Sequence, residues 1–218
     1  MPATTVLSAR ALLIDMDGTL VNSDAVVERL WRRWAAEHGI DGDEAMRIVH
    51  GRQGQASMAL LLPDRSVEEN IADNAELLAA ETEDVEGVVP IPGAADFLAS
   101  LTGLPHALVT SANLPLATVR MNAARLPMPE VRITAESVGA SKPHPEGFLK
   151  GAAELGVEPA DCVVFEDSGA GIAAGRAAGM RVVGIGSRAA AHEPDVVVPD
   201  LTGVRVVGVG DGVEVLVG

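Results

Sequence analysis

The sequence predicts an α/β fold, in which helices flank a parallel sheet and an all-helical insert interrupts the chain early. Short apolar runs alternate with helical segments through the second half of the chain, and no strand-like alternation occurs between Asn22 and Glu86. Hydrophobic residues make up 48% of the chain and aromatic residues only 2%. The core must therefore consist of Val, Leu, Ile, Ala and Met, a composition that is typical of helices packed on a parallel sheet.

The first predicted strand is the apolar run Ala11 to Ile14, which ends at Asp15. The later predicted strands span residues 106–109, 131–134, 162–165 and 182–185, and the helices between them span 94–101, 116–126, 146–155 and 170–178. Helices of this length between strands give right-handed crossovers, so the strands form a Rossmann-like parallel sheet. A terminal hairpin is predicted from strands 204–209 and 213–217, which flank a tight turn at Asp211-Gly212.

The insert begins with a helix that Ser23 or Asp24 caps and that ends near Gly39. The rest of the insert is helical to about Glu86, with possible starts at Asp43, Ser57 and Ser66 and a break at Pro63. The sequence thus predicts a discontinuous α/β core of residues 1–21 and 87–218 and a small helical cap of residues 22–86. Because catalytic groups in such sheets lie beyond the carboxyl ends of the strands, the cap is expected to cover the site.

Charge and composition exclude several classes of partner. The net charge is −15 and the chain has only two lysines, Lys142 and Lys150, whereas nucleic-acid binding requires clusters of basic residues. No apolar run approaches membrane-spanning length, and residues 1–10 lack the pattern of a signal peptide. The one cysteine, Cys162, lies in an apolar run, which favours a buried, unreactive thiol and a reducing cytoplasm. We therefore expect a cytoplasmic monomer that binds neither nucleic acid nor membrane.

Two carboxylates follow the first strand, in the segment Asp15-Met16-Asp17-Gly18-Thr19. Residues two apart on an extended segment lie on the same side, and adjacent acids repel each other unless a cation lies between them. One acid could bind a metal and attack phosphorus, while the other protonates the leaving oxygen. Taken alone, the pair fits equally well with two solvated surface acids.

The second strand is followed by Thr110-Ser111-Ala112-Asn113, and a later segment contains Ser141-Lys142-Pro143. The Ser111 hydroxyl and nearby backbone N–H groups could hold phosphoryl oxygens, although Ser111 or Asn113 could equally cap a helix. Lys142 precedes a proline, which favours an extended backbone outside any helix. It could neutralise a phosphoryl group, or it could be an ordinary surface lysine.

The strand 162–165 is followed by Glu166-Asp167-Ser168 and a glycine-rich turn into a helix. Carboxylates are the ligands of hard, oxygen-seeking ions such as Mg²⁺. Asp167 or Ser168 could also cap the helix. Four strand-associated segments together supply a nucleophile, an acid, oxyanion donors, a cation and a metal site, which favours the functional interpretation over the four separate structural ones.

These segments resemble, in order and spacing, the four motifs of the haloacid-dehalogenase-like phosphatase superfamily, and the insert resembles its helical cap. The resemblance implies that Asp15 is the nucleophile and Asp17 the general acid/base. It also implies that Asp15, the backbone carbonyl of Asp17, Asp167 and Glu166 hold Mg²⁺, and that the phosphoryl group is held by Ser111, Ala112 and Lys142.

Within the superfamily, three branches fit less well. A dehalogenase does not need the second acid, Asp17, and a phosphonoacetaldehyde hydrolase needs a cap lysine, which residues 22–86 lack. Phosphomutases of the β-phosphoglucomutase type resemble the chain in their third and fourth motifs. They carry a cap histidine where Val27 falls and a cap arginine near Gly54, which favours hydrolysis here.

The chain resembles bacterial sugar phosphatases acting on hexitol and sugar phosphates, mainly in His50-Gly51-Arg52-Gln53 and in residues 141–151. The resemblance implies a phosphoric monoester hydrolase with a small phosphate ester as substrate, whose hydroxyls His50, Arg52 and Gln53 contact. The alternatives are that these cap residues merely decorate a helix end, and that the chain is a glycerol-phosphate or 2-deoxyglucose-6-phosphate phosphatase. A phosphomutase and a non-catalytic phosphometabolite sensor stay open as well.

Overall fold

The computed structural model describes residues 5–218. Residues 1–4 lie outside this range. The expectation that residues 1–10 form no signal peptide therefore falls partly on residues that the structure does not describe. A six-stranded parallel sheet forms the centre of the fold, in the order β6-β5-β2-β7-β8-β9. Its strands are β2 (Ala11–Ile14), β5 (His106–Val109), β6 (Val131–Ile133), β7 (Cys162–Glu166), β8 (Arg181–Ile185) and β9 (Val196–Val198).

Helices cover both faces of this sheet. They are α5 (Ala94–Ser100), α6 (Leu114–Ala123), α7 (Glu146–Glu154), α8 (Gly169–Ala177) and α9 (Gly186–Ala190), with short 3₁₀ turns at Ala135–Ser137 and Pro159–Asp161. Successive residues of β2 alternate between two buried clusters. Leu12 packs with Phe97 of α5, and Leu13 packs in the other cluster with Phe148 of α7. The expected α/β fold with a parallel sheet is therefore confirmed.

Four helices follow the first strand of the sheet and form no part of it. They are α1 (Asp24–Glu37), α2 (Gly42–Val49), α3 (Gly54–Leu61) and α4 (Val67–Glu83). The chain passes into and out of this segment through a short antiparallel ribbon, in which β3 (Val21–Asn22) pairs with β4 (Val89–Pro90). Helix α4 starts at the expected cap, Ser66, but α3 starts at Gly54 rather than at Ser57, which is buried inside the helix.

The amino-terminal strand was not anticipated from the sequence. Strand β1 (Thr5–Ala9) pairs with β11 (Gly212–Val217), which also pairs with β10 (Val204–Val209). The expected terminal hairpin thus exists as part of a three-stranded antiparallel sheet. In residues 5–218, no helix is both long enough and apolar enough to cross a membrane.

Candidate active site

The strand order brings the motif residues to one edge of the sheet. Strand β2 lies between β5 and β7, so its end is flanked by the ends of both neighbours. Asp15 follows β2, Thr110 follows β5, and Glu166 ends β7. Parallel strands all end at the same edge, and the point where the chain order reverses leaves a crevice there. The pairing of buried apolar strands therefore brings these side chains together.

Lys142 lies at the centre of this cluster. Its Nζ donates to Asp15 Oδ1 at 2.6 Å, to Glu166 Oε1 at 2.7 Å and to the carbonyl oxygen of Val109 at 3.1 Å. It also lies 5.0 Å from the ring centroid of Phe148. Lys142 is only 7% exposed, so the interpretation as a surface lysine does not hold. Lys150, in contrast, is exposed and pairs with Glu146 one turn away.

The cluster contains more negative than positive charge. Asp15, Glu166 and Asp167 are all buried, and their ligand atoms lie within 4.8 Å of one another. Burial raises the pKa of Asp15 to about 8, against the opposing effect of Lys142, and Glu166 and Asp17 raise it further. Burial likewise raises the pKa of Asp167, with Glu166 and Asp15 adding to the effect. Three buried carboxylates with one ammonium group favour a second cation, because like charges at this distance destabilise one another.

The same carboxylates favour the charged form of the lysine. Burial alone disfavours an ammonium group, but the carboxylates of Asp15 and Glu166 outweigh it and raise the pKa of Lys142. Lys142 is therefore charged at neutral pH. A fixed cation beside Asp15 is suited to hold an incoming anionic group.

Glu166 and Asp167 differ in their surroundings. Both oxygens of Glu166 accept hydrogen bonds, Oε1 from Lys142 and Oε2 from the backbone N–H and the hydroxyl of Ser168, at 2.7 and 2.9 Å. Asp167 packs against Gly18, where a β-carbon would overlap its carboxylate. Gly18 has a φ of 87°, so this position requires glycine for both backbone and space.

The capping alternatives are settled residue by residue. Ser168, not Asp167, caps α8, since its side chain accepts from the N–H of Gly171. Asn113, not Ser111, caps α6 by accepting from the N–H of Leu116. Asp167 and Ser111 therefore make no capping interaction and point their polar groups elsewhere.

The phosphate-binding candidates on the second segment lie beside the cap. Ser111 Oγ donates to the carbonyl oxygen of Gly51, in the loop between α2 and α3, at 2.9 Å. The N–H of Ala112 donates to Thr110 Oγ1 at 3.1 Å. Ser111 thus links the sheet edge to the overlying helices.

A cleft lies between the sheet edge and the four helices. Asp15, Asp17 and Ser111 line it from below, and the helical segment contributes His50 and Arg52. Gln53 does not line this cleft. Its N–H donates to Ser141 Oγ at 2.8 Å and its side-chain amide donates to the carbonyl oxygen of Ala135 at 3.3 Å, so it joins the cap loop to the segment before Lys142.

His50 contributes a neutral ring to the cleft. Burial lowers its pKa to about 4, and the positive charge of Arg188 lowers it further, against Asp24 and Asp17. Arg188 Nη2 donates to both carboxylate oxygens of Asp24, at 2.8 and 2.9 Å, and its Nε lies 3.4 Å from Asp167 Oδ2. The sequence analysis did not identify Arg188.

A buried ion pair at the far side of Asp17 was also not identified from the sequence. Arg120 Nη1 lies 2.9 Å from Asp17 Oδ2, and its Nη2 donates to Glu81 Oε2 at 2.9 Å. A signal was present, because Arg120 falls among the buried positions of α6, with Leu116, Ala117 and Met121. A charged residue on the apolar face of a helix indicates a partner in the interior.

The comparisons with known proteins agree with this architecture. Residues 9–179 match the family model described as haloacid dehalogenase-like hydrolase. Hexitol phosphatase A of Escherichia coli (strain K12) is 40% identical over 84% of this chain and 86% of its own length. Glycerol-1-phosphate phosphohydrolase 1 of Saccharomyces cerevisiae is 34% identical over 85% of this chain and 79% of its own.

Among solved structures, a hydrolase from Pseudomonas syringae superimposes with a TM-score of 0.79 at 22% identity, over 88% of this chain and 94% of that one. This likeness concerns the fold alone. The family model and the two relatives confirm the resemblance that the four motifs indicated. The chain is a member of the haloacid dehalogenase-like hydrolase family.

Proposed function

We propose that this protein is a Mg²⁺-dependent phosphatase that hydrolyses small sugar or sugar-alcohol phosphates through an aspartyl-phosphate on Asp15. The observation that carries the proposal is the buried cluster of Asp15, Glu166 and Asp167 around Lys142. Its member Asp15 lines a cleft that helices cover. The similarity to two relatives, a hexitol phosphatase and a glycerol-1-phosphate phosphohydrolase, supports this substrate class.

The reaction we propose has two steps. In the first, a carboxylate oxygen of Asp15 attacks phosphorus, the bond from phosphorus to the ester oxygen breaks, and Asp17 gives its proton to the departing alcohol. In the second, Asp17 takes a proton from water, whose oxygen attacks phosphorus. The bond to Asp15 then breaks, which releases inorganic phosphate and regenerates both acids.

The donor set fits Mg²⁺. It consists of carboxylate oxygens, which hard divalent cations prefer. Three carboxylates also carry more negative charge than the single positive charge of Lys142 can neutralise. Asp15, Asp167 and the backbone carbonyl of Asp17 would hold the ion. When bound, Mg²⁺ supplies charge neutralisation between the attacking carboxylate and the phosphate. Glu166 contributes mainly as the partner that fixes Lys142, because Lys142 and Ser168 occupy both of its oxygens.

Lys142 and the segment Ser111-Ala112 would hold the phosphoryl oxygens. Lys142 is already in contact with Asp15, so it would neutralise the phosphoryl group at the point of attack. Ser111 would exchange its hydrogen bond with Gly51 for one with a phosphoryl oxygen. Phosphate binding would therefore act on the contact between the cap loop and the sheet edge.

We propose that residues 22–86 act as a cap on the core formed by residues 1–21 and 87–218, with its two crossings at the ribbon of β3 and β4. The cleft between the core and this cap would hold the substrate. His50 and Arg52 would contact the sugar hydroxyls, whereas Gln53 supports the cap loop from outside the cleft.

The same cleft argues for hydrolysis rather than phosphomutase chemistry. Val27 and Gly54, at the positions where the resemblance implied a histidine and an arginine in phosphomutases, both line the cleft. Neither residue can exchange a proton with a sugar hydroxyl or bind a second phosphate through a side chain.

The experiment is a phosphate-release assay on hexitol, hexose, pentose and glycerol phosphates and 2-deoxyglucose 6-phosphate, with Mg²⁺ and with a chelator in excess. We expect release from at least one ester, and its loss with the chelator. Isomerisation of a hexose phosphate without free phosphate would instead indicate a mutase. Binding without any release would indicate a sensor.

A further inference from the structure

Arg120 joins the helical cap to the proposed acid/base through two ion pairs. Its guanidinium lies 2.9 Å from Asp17 Oδ2 on one side and donates to Glu81 Oε2 of α4 at 2.9 Å on the other. Arg120 is 4% exposed and Glu81 is 6% exposed. All three side chains line the cleft above Asp15.

A purely stabilising role is a weak explanation for the buried ion pair of Arg120 and Glu81. A buried ion pair gains little over well-packed apolar residues, because desolvation offsets most of the attraction. Burial raises the pKa of Glu81 even though Arg120 opposes this, which shows that the carboxylate is costly to ionise there. In addition, Arg120 Nε is buried and has no hydrogen-bond partner within residues 5–218.

Asp17 is held at both oxygens. Ser23 Oγ, at the start of the cap, donates to Oδ1 at 2.7 Å, and Arg120 binds Oδ2. Glu81 in turn fixes the guanidinium from the cap side, so the direction of the Asp17 carboxyl depends on helix α4 being in place. Ser23 therefore contacts this carboxyl group directly, and Glu81 acts on it through Arg120.

We propose that Arg120 is a positioning residue for Asp17, and that Glu81 makes this positioning depend on closure of the cap. The proposal rests on the proposed function, in which Asp17 gives a proton to the departing alcohol. A substrate would thus meet a correctly directed acid only when α4 lies over α6, because only then does Arg120 have both carboxylates.

The test compares two leaving groups. An alkyl phosphate, such as a hexitol phosphate, needs a proton from Asp17 as its alcohol departs, whereas p-nitrophenyl phosphate releases a stable phenolate without one. Pre-steady-state measurement of alcohol and of nitrophenolate isolates the first step for each substrate. For Arg120→Lys, which keeps the charge but cannot bridge both carboxylates, we expect alcohol release to fall about 10²-fold and the nitrophenolate burst to change less than about threefold.

Glu81→Gln is the second variant, because it is nearly isosteric and keeps an acceptor for Arg120. We expect about a tenfold slower alcohol release, with KM within about twofold of the wild type. Asp73→Asn is the matched control, since it removes a carboxylate from the same helix that pairs with Arg65 at 2.7 Å, away from the cleft. It should leave the rates of alcohol and nitrophenolate release unchanged.

The proposal is overturned if Arg120→Lys slows both leaving groups by the same factor, as a merely structural role would, or if it slows neither. If Arg120→Lys does not fold, an equal loss for both substrates in Glu81→Gln overturns it as well. An inactive wild-type enzyme would refute the proposed function, which is a different result from an active wild type whose variants show no dependence on the leaving group.

Discussion

The two halves of the candidate site are built in different ways. The core half, defined by Asp15, Lys142, Glu166 and Asp167, consists of buried side chains at or near strand ends. The cap half, defined by His50, Arg52 and Glu81, consists of side chains from helices and a loop. The core half contains charged groups in direct contact, since Lys142 Nζ lies 2.6 Å from Asp15 Oδ1 and 2.7 Å from Glu166 Oε1. The cap half mixes a neutral imidazole, a half-buried guanidinium and a buried carboxylate.

In the proposed function, this difference separates chemistry from recognition. Strand pairing through buried apolar residues fixes the core half, so its geometry resists change. The cap half depends on helix packing and on a few contacts to the sheet edge, such as Ser111 with Gly51, and can move when these contacts break. We therefore expect substitutions in the core half to remove the reaction and substitutions in the cap half to weaken it.

The largest effect is expected for Asp15→Asn. Loss of the nucleophile should lower kcat by at least about 10⁴-fold. Because burial raises the pKa of Asp15 to about 8, a charge there does not stabilise the metal-free fold, so the variant should unfold no more easily than the wild type. Kinetics of phosphate release and thermal unfolding by circular dichroism check both expectations.

Asp161→Asn is the control, because this exposed acid lies at the opposite end of β7 from Glu166. It should keep wild-type kinetics. Turnover by Asp15→Asn within about tenfold of the wild type would refute Asp15 as the nucleophile.

The two lysines provide the next comparison. Lys142→Met removes the ammonium group that contacts Asp15 and Glu166, and should lower kcat by about 10²- to 10³-fold. It should also destabilise the metal-free protein, because the buried carboxylates of Asp15 and Glu166 lose their bonded lysine. Lys150→Met removes an exposed charge and should change neither property. Similar activity in the two variants would mean that the core half does not depend on its cation.

A glycine in the cap tests the contact between the two halves. Gly51 has a φ of 79°, and a β-carbon there would overlap the Ser168 side chain. Gly51→Ala should therefore hold the cap loop away from the sheet edge and lower kcat/KM by about 10- to 100-fold. Steady-state kinetics with a good substrate measure this loss.

Gly39→Ala is matched to this change, since Gly39 has a φ of 68° but open space around the β-carbon. It carries the same backbone strain of about 1–2 kcal/mol without the overlap. If both variants lose activity equally, strain rather than the contact with Ser168 is responsible, and the cap loop does not need to approach the sheet edge.

The sequence predicted the core half well because its signals are local. An apolar run shows where a strand ends, and the polar residue after it is then placed by the sheet. Asp15, Ser111 and Glu166 were found in this way. Lys142 was found because lysine is so rare in this chain and because a proline follows it. Its bonds to Asp15 and Glu166 were not predictable, since they depend on the path of a loop.

The cap half and the amino terminus depended on long-range packing. Arg120 and Glu81 are 39 positions apart, and no local pattern joins them. The same holds for β1, whose partner β11 lies at the other end of the chain. Gln53 was expected to face the substrate, but its bonds to the Ser141 and Ala135 segment place it outside the cleft. The side chain of a loop residue can point into a neighbouring cleft or away from it, and the sequence alone does not show which.

The smallest expected effect concerns His50 and sharpens the contrast between the charged core half and the neutral imidazole of the cap half. Burial, with Arg188, lowers the pKa of His50 to about 4, whereas an unfolded histidine titrates near 6.5. Between these values the unfolded chain binds a proton that the folded chain does not, so stability falls as pH decreases from about 6.5 to about 4. His50→Gln removes this contribution. Chemical denaturation at pH 7 and pH 5 should show the wild type losing on the order of 1 kcal/mol more than the variant. Equal losses would mean that the pKa of His50 is the same in the folded and the unfolded chain, and that the fold does not hold this ring neutral below about pH 6.5.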